Sequence, residues 1–442
     1  MEQTTAEKQL WGGETVKAVE NFQISNHPIP GPVIHWLARL KAAAARINAE
    51  LGQLDRELAD AIAAAADEVA DGRHDDQFPI DVFQTGSGTS SNMNANEVIA
   101  TLAGDEAHPN DHVNMGQSSN DVFPSAVHLA ALDQVSHELL PAMEALADSL
   151  GQKAREFADH VKAGRTHLMD AVPVTLGQEF GGYEAQIRLG ADRVRATLRR
   201  VGQIPLGGTA AGTGLNTHPE FAARVRELLA RDRGLEISAP ADPFEAQGNR
   251  DALVELSGAL KVVAVSMIKI ANDLALMGSG PRAGLAEIRL PELQKGSSIM
   301  PGKVNPVIPE VVIQVGDQVI GNDAAITAAG SQGQFELNVR VPLIARNLID
   351  SIKLLSGACR ALDKKVIRGV ESNEEMLDRH AEATLATATA LNPHIGYDKA
   401  TEIVKEAAAS GRPLREVARD HGVEESILEQ ALDQRKLARP HD

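Results

Sequence analysis

A run of apolar residues between positions 253 and 277 constrains the fold more than any other part of the sequence. Its members recur at alternating steps of three and four residues: Leu253, Leu256, Leu260, Val263, Met267, Ile270, Leu274 and Met277. This spacing places one apolar stripe along a long helix, as in the helices of a bundle. The helix could belong to an internal helix hairpin, or it could also pack against other subunits, and periodicity does not separate these two alternatives.

The rest of the sequence also predicts a mainly α-helical protein with more than one domain. A length of 442 residues is too great for one simple core. Only 3% of the residues are aromatic, so the core must consist of aliphatic side chains, alanine and methionine, which pack well between helices. Further helices are predicted at 39–71, 95–103, 125–159, 177–202, 309–329 and 342–369.

Loops rich in glycine and proline divide the chain into three predicted regions. An N-terminal mixed helical domain covers residues 1–114, and a central helical-bundle domain covers residues 115–369. A small C-terminal helical domain at 370–442 contains the breaks Asn392-Pro393 and Gly411-Arg412-Pro413.

Composition excludes several classes of function. A net charge of −18 argues against binding nucleic acid through a basic surface. Cys359 is the only cysteine, which excludes an intrachain disulfide and an iron–sulfur cluster held by several cysteines of one chain. No apolar stretch is long enough to span a bilayer, and residues 1–17 lack the apolar core of a signal peptide. We therefore expect a cytoplasmic protein with no nucleic-acid or membrane partner.

The polar run at 296–306, Gly-Ser-Ser-Ile-Met-Pro-Gly-Lys-Val-Asn-Pro, is the most informative candidate for a functional segment. Gly296 and Gly302 allow backbone conformations that other residues avoid. The cation of Lys303 and the amide of Asn305 follow two serines and would suit a carboxylate-bearing substrate on which charge develops. An ordinary surface turn is the plain alternative.

A second polar segment, residues 84–94, is rich in hydroxyl and amide side chains, including Ser87 and Thr89. Because a helix is predicted to follow at 95–103, this segment would lie at a helix N-terminus, where an anion is favoured. A solvated loop is the alternative interpretation.

A third segment, residues 108–121, contains two distinct signals. His108 and His112 are four residues apart and could bind a metal on a helix, but Pro109 argues against a continuous helix there. No metal site is therefore predicted. Ser118-Ser119-Asn120 precedes a predicted helix, where it could cap the helix, bind an anion or do both.

The fourth segment, residues 164–173, places His167 in a polar turn. A histidine there could transfer protons near neutral pH, provided that a carboxylate orients it. Glu310 opens the helix that follows the 296–306 run and is the natural candidate for that carboxylate. The sequence does not show that the two side chains touch.

These four segments, in this order, resemble the fumarase/aspartase superfamily, and together they are most similar to its class II fumarases. The similarity extends from Leu10-Trp11-Gly12 to the segment at 391–397 and includes the segments at 207–216 and 280–285. It implies three mostly α-helical domains and a homotetramer in which four subunits contribute helices to one central bundle. Each active site would then take its segments from three chains, and a monomer would be inactive.

The resemblance implies a reversible hydration of fumarate to L-malate that needs no metal and no organic cofactor. Ser297 would be the base that removes a proton beside a carboxylate, which gives an aci-carboxylate intermediate. His167, paired with Glu310, would hold the water or act as the second acid/base group. The implied substrate-binding residues are Ser87, Thr89, Ser118, Ser119, Asn120, Thr166, Lys303 and Asn305.

The resemblance also implies a secondary carboxylate site formed by His108, Asn110 and Asp111. The connection from Ala103 to His108 looks shorter than in many relatives, which affects the outer wall of this secondary site. The segment that precedes Leu10 also looks short.

Two other interpretations compete with the hydratase. The segment at 307–312 looks as much like an aspartase as a fumarase, but aspartases typically carry glutamine where this chain has His167, and residues 86–89 follow the fumarase form. Argininosuccinate and adenylosuccinate lyases fit the contexts of His167 and Ser118 poorly. A non-catalytic structural relative would be favoured by loss of a site residue, yet Ser297, Lys303 and His167 are all present.

Overall fold

The structure is a computed structural model and describes residues 9–439, which are mainly α-helical as predicted. The α-helices in chain order are α1 (Gly13–Asn21), α2 (Gly31–Glu50), α3 (Arg56–Ala70), α4 (Thr89–Ala103), α5 (Ser119–Gln134), α6 (Leu140–Glu156), α7 (Leu176–Val201), α8 (Phe221–Arg233), α9 (Pro243–Gly248), α10 (Asp251–Met277), α11 (Val307–Gly330), α12 (Val341–Lys365), α13 (Glu374–Ala383), α14 (Asn392–Ile395), α15 (Tyr397–Ser410), α16 (Leu414–Asp420), α17 (Glu425–Ala431) and α18 (Gln434–Leu437). Turns of π-helix lie at Pro109–Val113 and Val135–Leu139, and 3₁₀ turns lie at Asp75–Gln77, Ile367–Gly369 and Leu385–Leu391.

Short antiparallel strand pairs complete the secondary structure of the described residues. Strand β1 (Val161–Thr166) pairs with β2 (Met169–Thr175) in a hairpin. Strand β3 (Ile288–Arg289) pairs with the distant β6 (Glu371–Ser372), and β4 (Gly333–Gln334) pairs with β5 (Leu337–Asn338).

The apolar stripe at 253–277 lies on helix α10, as predicted. All eight stripe residues are buried, with Met277 the most exposed at 4%. The chain itself therefore covers the stripe, and packing of the same helix against other subunits stays a prediction. A different face of α10 carries exposed valines, Val262 and Val265. Within residues 9–439, no helix combines the length and the apolar character that crossing a bilayer requires.

Several predicted helix boundaries are wrong, including that of the helix predicted at 125–159, which begins at Ser119 and is interrupted by the π-helical turn at Val135–Leu139. The helix predicted at 39–71 is interrupted, because α2 ends at Glu50 and the carboxylate of Asp55 caps α3 by accepting the backbone N–H groups of Glu57 and Leu58. The helix predicted at 95–103 begins six residues earlier, at Thr89. The helix predicted at 342–369 ends at Lys365 and is followed by a 3₁₀ turn.

Close contacts divide the described residues into two compact units. The first contains residues 9–141, 190–264 and 315–356, and the second contains residues 142–189, 265–314 and 357–439. The three domains predicted at 1–114, 115–369 and 370–442 stay a prediction.

In the first unit, helix α2 is the element around which its neighbours pack. Its centre is rich in alanine and almost entirely buried, and it contacts α3, α5 and α8. Alanine side chains allow helices to approach closely, and they favour the helical conformation. Helices α4 and α5, which carry two of the predicted site segments, also contact each other in this unit.

In the second unit, the β1–β2 hairpin packs against helix α13. The short helices α15, α16 and α17 enclose a small apolar core that includes Leu391, Ile403, Val417 and Leu428. The helical character predicted for the C-terminal region is confirmed for residues 370–439.

Candidate active site

The segment at 84–94 forms a tight turn that leads into α4. Gly88 has a left-handed backbone (φ +79°), and a Cβ atom there would lie 2.1 Å from the ring of Phe123. The turn brings the hydroxyls of Ser87 and Thr89 within 2.7 Å of each other at the N-terminus of α4. Two hydroxyl groups at this end of a 15-residue helix are suited to an anion.

Ser118 is the N-cap of α5, so the capping role predicted for this segment is confirmed. Its hydroxyl accepts the backbone N–H of Asn120 at 3.2 Å, and the carboxylate of Asp121 accepts the N–H of Ser118 at 2.8 Å. The side-chain amide of Asn92, on α4, donates to the hydroxyl of Ser119 at 2.9 Å. The segments at 84–94 and 108–121 therefore meet in the first unit.

The side chain of Asn120 donates from Nδ2 to the backbone carbonyl of Ala210 at 2.9 Å. This bond connects the Ser118 segment to the segment at 207–216, which also resembles the superfamily. The remaining N–H of the Asn120 amide and its oxygen can still bind a ligand. The anion-binding role of Ser118, Ser119 and Asn120 stays a prediction.

Sequence reasoning missed Asp121, which organises this part of the site. Asp121 is fully buried and accepts the backbone N–H groups of Gly207 and Thr209 at 2.9 and 3.0 Å as well as that of Ser118. Burial raises the pKa of its carboxyl to about 6, although these hydrogen bonds act in the opposite direction. An acid three residues after a capping serine is the sequence signal that could have identified it.

Sequence reasoning also missed Lys41, a buried cation close to the same segments. Its ammonium group lies 3.2 Å from Oε1 of Gln117 and 3.4 Å from Oδ1 of Asn114, and Asn114 in turn accepts a hydrogen bond from Asn92. Burial lowers the pKa of Lys41 to about 7, and the charge of Asp121 counteracts this shift. The sequence signal that could have identified Lys41 is a lysine on the otherwise apolar face of α2.

His167 lies at the tip of the β1–β2 hairpin. His167 and Leu168 form a two-residue turn, and both have left-handed backbones (φ +56° and +62°). Such a turn matches the twist of a hairpin, but two residues other than glycine or asparagine in this region are strained. The tip, including Thr166, is exposed.

Glu310 lies in the first turn of α11, where the helix dipole favours a carboxylate. Its side chain is exposed. Among residues 9–439, no hydrogen bond or ion pair joins His167 to Glu310, so the pairing of these two side chains stays a prediction.

The loop at 296–306 is closed by its own hydrogen bonds. The N–H of Gly296 donates to the carbonyl of Lys303 at 2.8 Å, and Nδ2 of Asn305 donates to the carbonyl of Gly296 at the same distance. A Cβ atom at Gly296 would lie 2.4 Å from the Lys303 carbonyl oxygen, so this crossing requires glycine. The tip of the loop is exposed, and Ile299 is 84% accessible.

The loop places Ser297 in an unusual electrostatic environment. Its Oγ accepts the backbone N–H groups of Ile299 and Met300 at 3.2 and 3.0 Å. Two N–H dipoles aimed at one hydroxyl oxygen stabilise negative charge on that oxygen. Lys303 is exposed on the same loop.

The residues of the predicted secondary site are exposed, and two of them, His108 and Asp111, contact each other. Nδ1 of His108 accepts the N–H of Asp111 at 3.0 Å, and the Asp111 carboxylate lies 3.2 Å from the same nitrogen. Nδ1 of His112 accepts the N–H of His108 at 3.0 Å, so the two imidazoles do not converge on a common point. In the described part of the chain, no three histidine, cysteine or acidic side chains are grouped as metal ligands. Binding of a carboxylate by His108, Asn110 and Asp111 stays a prediction.

Comparisons with known proteins cover almost the whole chain. A family model described as "Lyase" matches residues 1–321, and a model described as "Fumarase C C-terminus" matches residues 388–439. The chain is 54% identical over 434 residues to the class II fumarate hydratase of Corynebacterium glutamicum, covering 97% of this chain and 92% of that protein. It is 55% identical over 420 residues to the class II fumarate hydratase of Mycobacterium tuberculosis, covering 94% and 89%. The crystal structure of class II fumarase from Schistosoma mansoni superimposes with a TM-score of 0.96 at 36% identity, covering 99% of this chain and 97% of that one.

The buried amine of Lys41 predicts a specific pH dependence of stability. In an unfolded chain a lysine keeps its proton up to about pH 10, whereas in the fold the pKa of Lys41 is about 7. Between these values the unfolded state binds more protons, so the free energy of unfolding rises with pH. We expect the wild type to gain on the order of 2 kcal/mol relative to Lys41→Met between about pH 7 and about pH 9. Urea denaturation at both pH values measures this difference.

Lys405→Met is the control, because the side chain of Lys405 is exposed in the fold. Its ammonium group is therefore hydrated in both the folded and the unfolded state. Groups that titrate equally in both proteins cancel in the comparison. Parallel pH dependences for the wild type and Lys41→Met would contradict the prediction.

Proposed function

This chain belongs to the class II fumarate hydratase family, and we infer that it is a lyase that catalyses the reversible hydration of fumarate to L-malate. The observation that carries this inference is identity of 54% over 97% of the chain to a class II fumarate hydratase. The environment of Ser297 supports it, since the proposed base is a hydroxyl oxygen that accepts two backbone N–H groups.

In the direction from malate to fumarate, we propose that the alkoxide of Ser297 removes a proton from the carbon beside a carboxylate. The electron pair of the broken C–H bond moves onto that carboxylate and gives the aci-carboxylate intermediate. This intermediate collapses to the double bond of fumarate, and the hydroxyl group leaves as water after it receives a proton. A serine hydroxyl is a very weak acid, and the N–H groups of Ile299 and Met300 with the cation of Lys303 stabilise the alkoxide.

We propose that His167, oriented by Glu310, supplies that proton or holds the departing water. Both side chains are exposed in the single chain, as expected of groups that meet only when subunits assemble. The strained turn at His167 and Leu168 supports a functional tip, since strain of this kind persists where the surroundings enforce it.

We propose that two groups of residues bind the substrate carboxylates. One surrounds the N-termini of α4 and α5, and the other lies on the hairpin and the 296–306 loop. The first consists of Ser87, Thr89, Ser118, Ser119 and Asn120, and the second consists of Thr166, Lys303 and Asn305. The protein carries a net charge of −18, so helix N-termini and Lys303 must supply local positive potential. One N–H of the Asn305 amide binds the Gly296 carbonyl, which leaves the second for a carboxylate.

We also propose a homotetramer in which three subunits contribute to each active site. The long helices expose apolar side chains that a bundle of subunits would cover: Leu189, Val262, Val265, Leu276, Val311 and Ile320. A monomer would then be inactive. We further propose a cytoplasmic location, and a secondary carboxylate site at His108, Asn110 and Asp111.

The reaction is tested by following absorbance near the ultraviolet edge with L-malate and, in parallel, with L-aspartate. We expect fumarate to form from malate and not from aspartate, because His167 stands where aspartases typically carry glutamine. Fumarate from aspartate alone would favour the ammonia-lyase. No product from either substrate, in a folded tetramer, would favour a non-catalytic relative.

The role of Ser297 is tested by Ser297→Ala, with Ser298→Ala as the neighbouring comparison. We expect Ser297→Ala to lower kcat by roughly 100-fold or more, since loss of a positioned base removes about that factor, and to leave the tetramer intact. Steady-state kinetics with malate and size-exclusion chromatography measure both properties. If Ser298→Ala abolished turnover and Ser297→Ala did not, the role of base would pass to Ser298.

Sharing of sites between subunits is tested by mixing Ser297→Ala with His167→Asn under conditions that exchange subunits. Each variant alone is expected to be nearly inactive. In randomly mixed tetramers, about a quarter of the sites would combine an intact Ser297 from one chain with an intact His167 from another. We expect activity to recover to about that fraction. The absence of recovery after verified exchange would contradict a site built from different chains.

A further inference from the structure

Glu287 lies in the second unit, is 0% exposed and stands at the centre of a cluster of charged side chains. Oε1 of Glu287 accepts a hydrogen bond from Nη2 of Arg165 at 2.7 Å, and the ammonium group of Lys162 lies 3.3 Å from Oε2. Lys162 also donates to Glu179, in the first turn of α7, at 2.5 Å. Arg165 and Lys162 both belong to strand β1, so the cluster attaches this strand to the rest of the unit.

His380, on α13, completes the cluster. Its Nδ1 lies 3.1 Å from Oε1 of Glu287 and 3.5 Å from Nη2 of Arg165. A carboxylate can only accept, so Nδ1 must carry a proton and donate it to Glu287. The neighbouring guanidinium also has only donors, and its contact with Nδ1 is therefore not a hydrogen bond.

The backbone of Glu287 is held on both sides. Its N–H donates to the carbonyl of Met277, at the end of α10, and its carbonyl accepts the N–H of Asn373, both at 2.9 Å. The side chain of Asn373 donates to the carbonyl of Ala286 at 2.8 Å. The backbone of Glu287 is therefore held in place, so its side chain can fix the position of the residues that it binds.

The charges of the cluster are balanced and depend on one another. Burial alone would raise the pKa of Glu287, but Arg165, Lys162 and His380 together hold it below its ordinary value. Two cations, Lys162 and Arg165, face two carboxylates, Glu287 and Glu179. Removing one member of such a group leaves a buried charge without its partner.

The hairpin needs an external support of this kind. A two-stranded hairpin is marginally stable by itself, and here its tip is exposed and strained at His167 and Leu168. The strand register shifts between Ala163 and Arg165, where a Cβ atom on Gly164 would lie 2.5 Å from the carbonyl oxygen of Val172. Arg165 follows this irregularity and directly precedes Thr166 and His167. Its hydrogen bond to Glu287 therefore holds strand β1 close to the tip of the hairpin.

We propose that Glu287 is a positioning residue for the hydratase reaction: by binding Arg165 and Lys162, it holds the β1–β2 hairpin so that Thr166 and His167 stand in their working positions. The inference rests on the proposed function, in which His167 is the second acid/base group. Glu287 itself does not touch the substrate.

The test compares Glu287→Gln with the wild type by steady-state kinetics and by hydrogen exchange of the peptides covering residues 161–175. Glutamine keeps the size of the side chain and removes the charge that holds Arg165. We expect exchange in this segment to become at least about tenfold faster. We expect kcat to fall by about 100-fold, since a displacement of about 1 Å costs roughly that factor, and KM to rise by a smaller factor, because Thr166 is one of several residues that bind the substrate carboxylates.

Asp363→Asn is the matched control. Asp363 is a buried carboxylate of the same unit that accepts two hydrogen bonds from Arg368, at 3.0 and 2.7 Å, on the turn after α12 rather than on the hairpin. We expect it to lower the melting temperature without changing hairpin exchange or kcat. If Glu287→Gln does not fold, Glu287→Asp keeps the charge, lengthens the contact with Arg165 and should show smaller changes of the same kind.

Two outcomes would overturn the proposal. One is unchanged exchange at residues 161–175 in Glu287→Gln, and the other is faster exchange with an unchanged kcat. Failure of the proposed function is distinguishable, because the wild type would then lack hydratase activity while the exchange experiment would still report on the support of the hairpin.

Discussion

The buried apolar stripe of α10 is the constraint on which the rest of the fold depends. Its eight side chains are removed from solvent along the whole helix, and burial of each large aliphatic side chain contributes about 1.5–3 kcal/mol relative to exposure. With only 3% aromatic residues in the sequence, the surface that covers the stripe must consist mainly of aliphatic side chains, alanine and methionine. A scaffold made of long helices is rigid, and it leaves the functional side chains to the helix ends and to the connections between them.

Those connections are held in place by buried polar groups. Asp121 binds three backbone N–H groups and thereby joins the Ser118 segment to the segment at 207–216. Lys41 and Asn92 connect α2 and α4 to the same region. Glu287 performs a comparable function for the hairpin. Each of these groups is costly to bury, and each is compensated by several partners, which is how a helical scaffold can fix loops that have little regular structure of their own.

Much of the fold was accessible from the sequence because its signals are local. The stripe at 253–277 and the helices near 177–202 and 309–329 follow from apolar periodicity, which acts within one helix. Two of the boundaries that were wrong depend on the single residue that precedes a helix. Asp55 interrupts the helix predicted at 39–71, and Gly88 allows α4 to begin at Thr89. In the candidate site, the residues with exposed polar chemistry were identifiable from their motifs. Asp121 and Lys41 carry a local signal for a special position, but their partners, like those of Glu287, are distant along the chain and could not be predicted.

The sequence by itself determined the helical class, the position of the longest helices and the segments that resemble the fumarase/aspartase superfamily, since each is recorded in the order and spacing of neighbouring residues. Only the tertiary structure decided that the chain covers the α10 stripe, that Oγ of Ser297 accepts two N–H groups, and that Lys162, Arg165, Glu287 and His380 meet. Such contacts form only where the backbone brings remote residues to within about 3 Å of each other. A buried charge in such a contact also needs a partner of opposite charge. Local residue patterns do not contain that information, because the same side chains at the same spacing would lie apart in another fold.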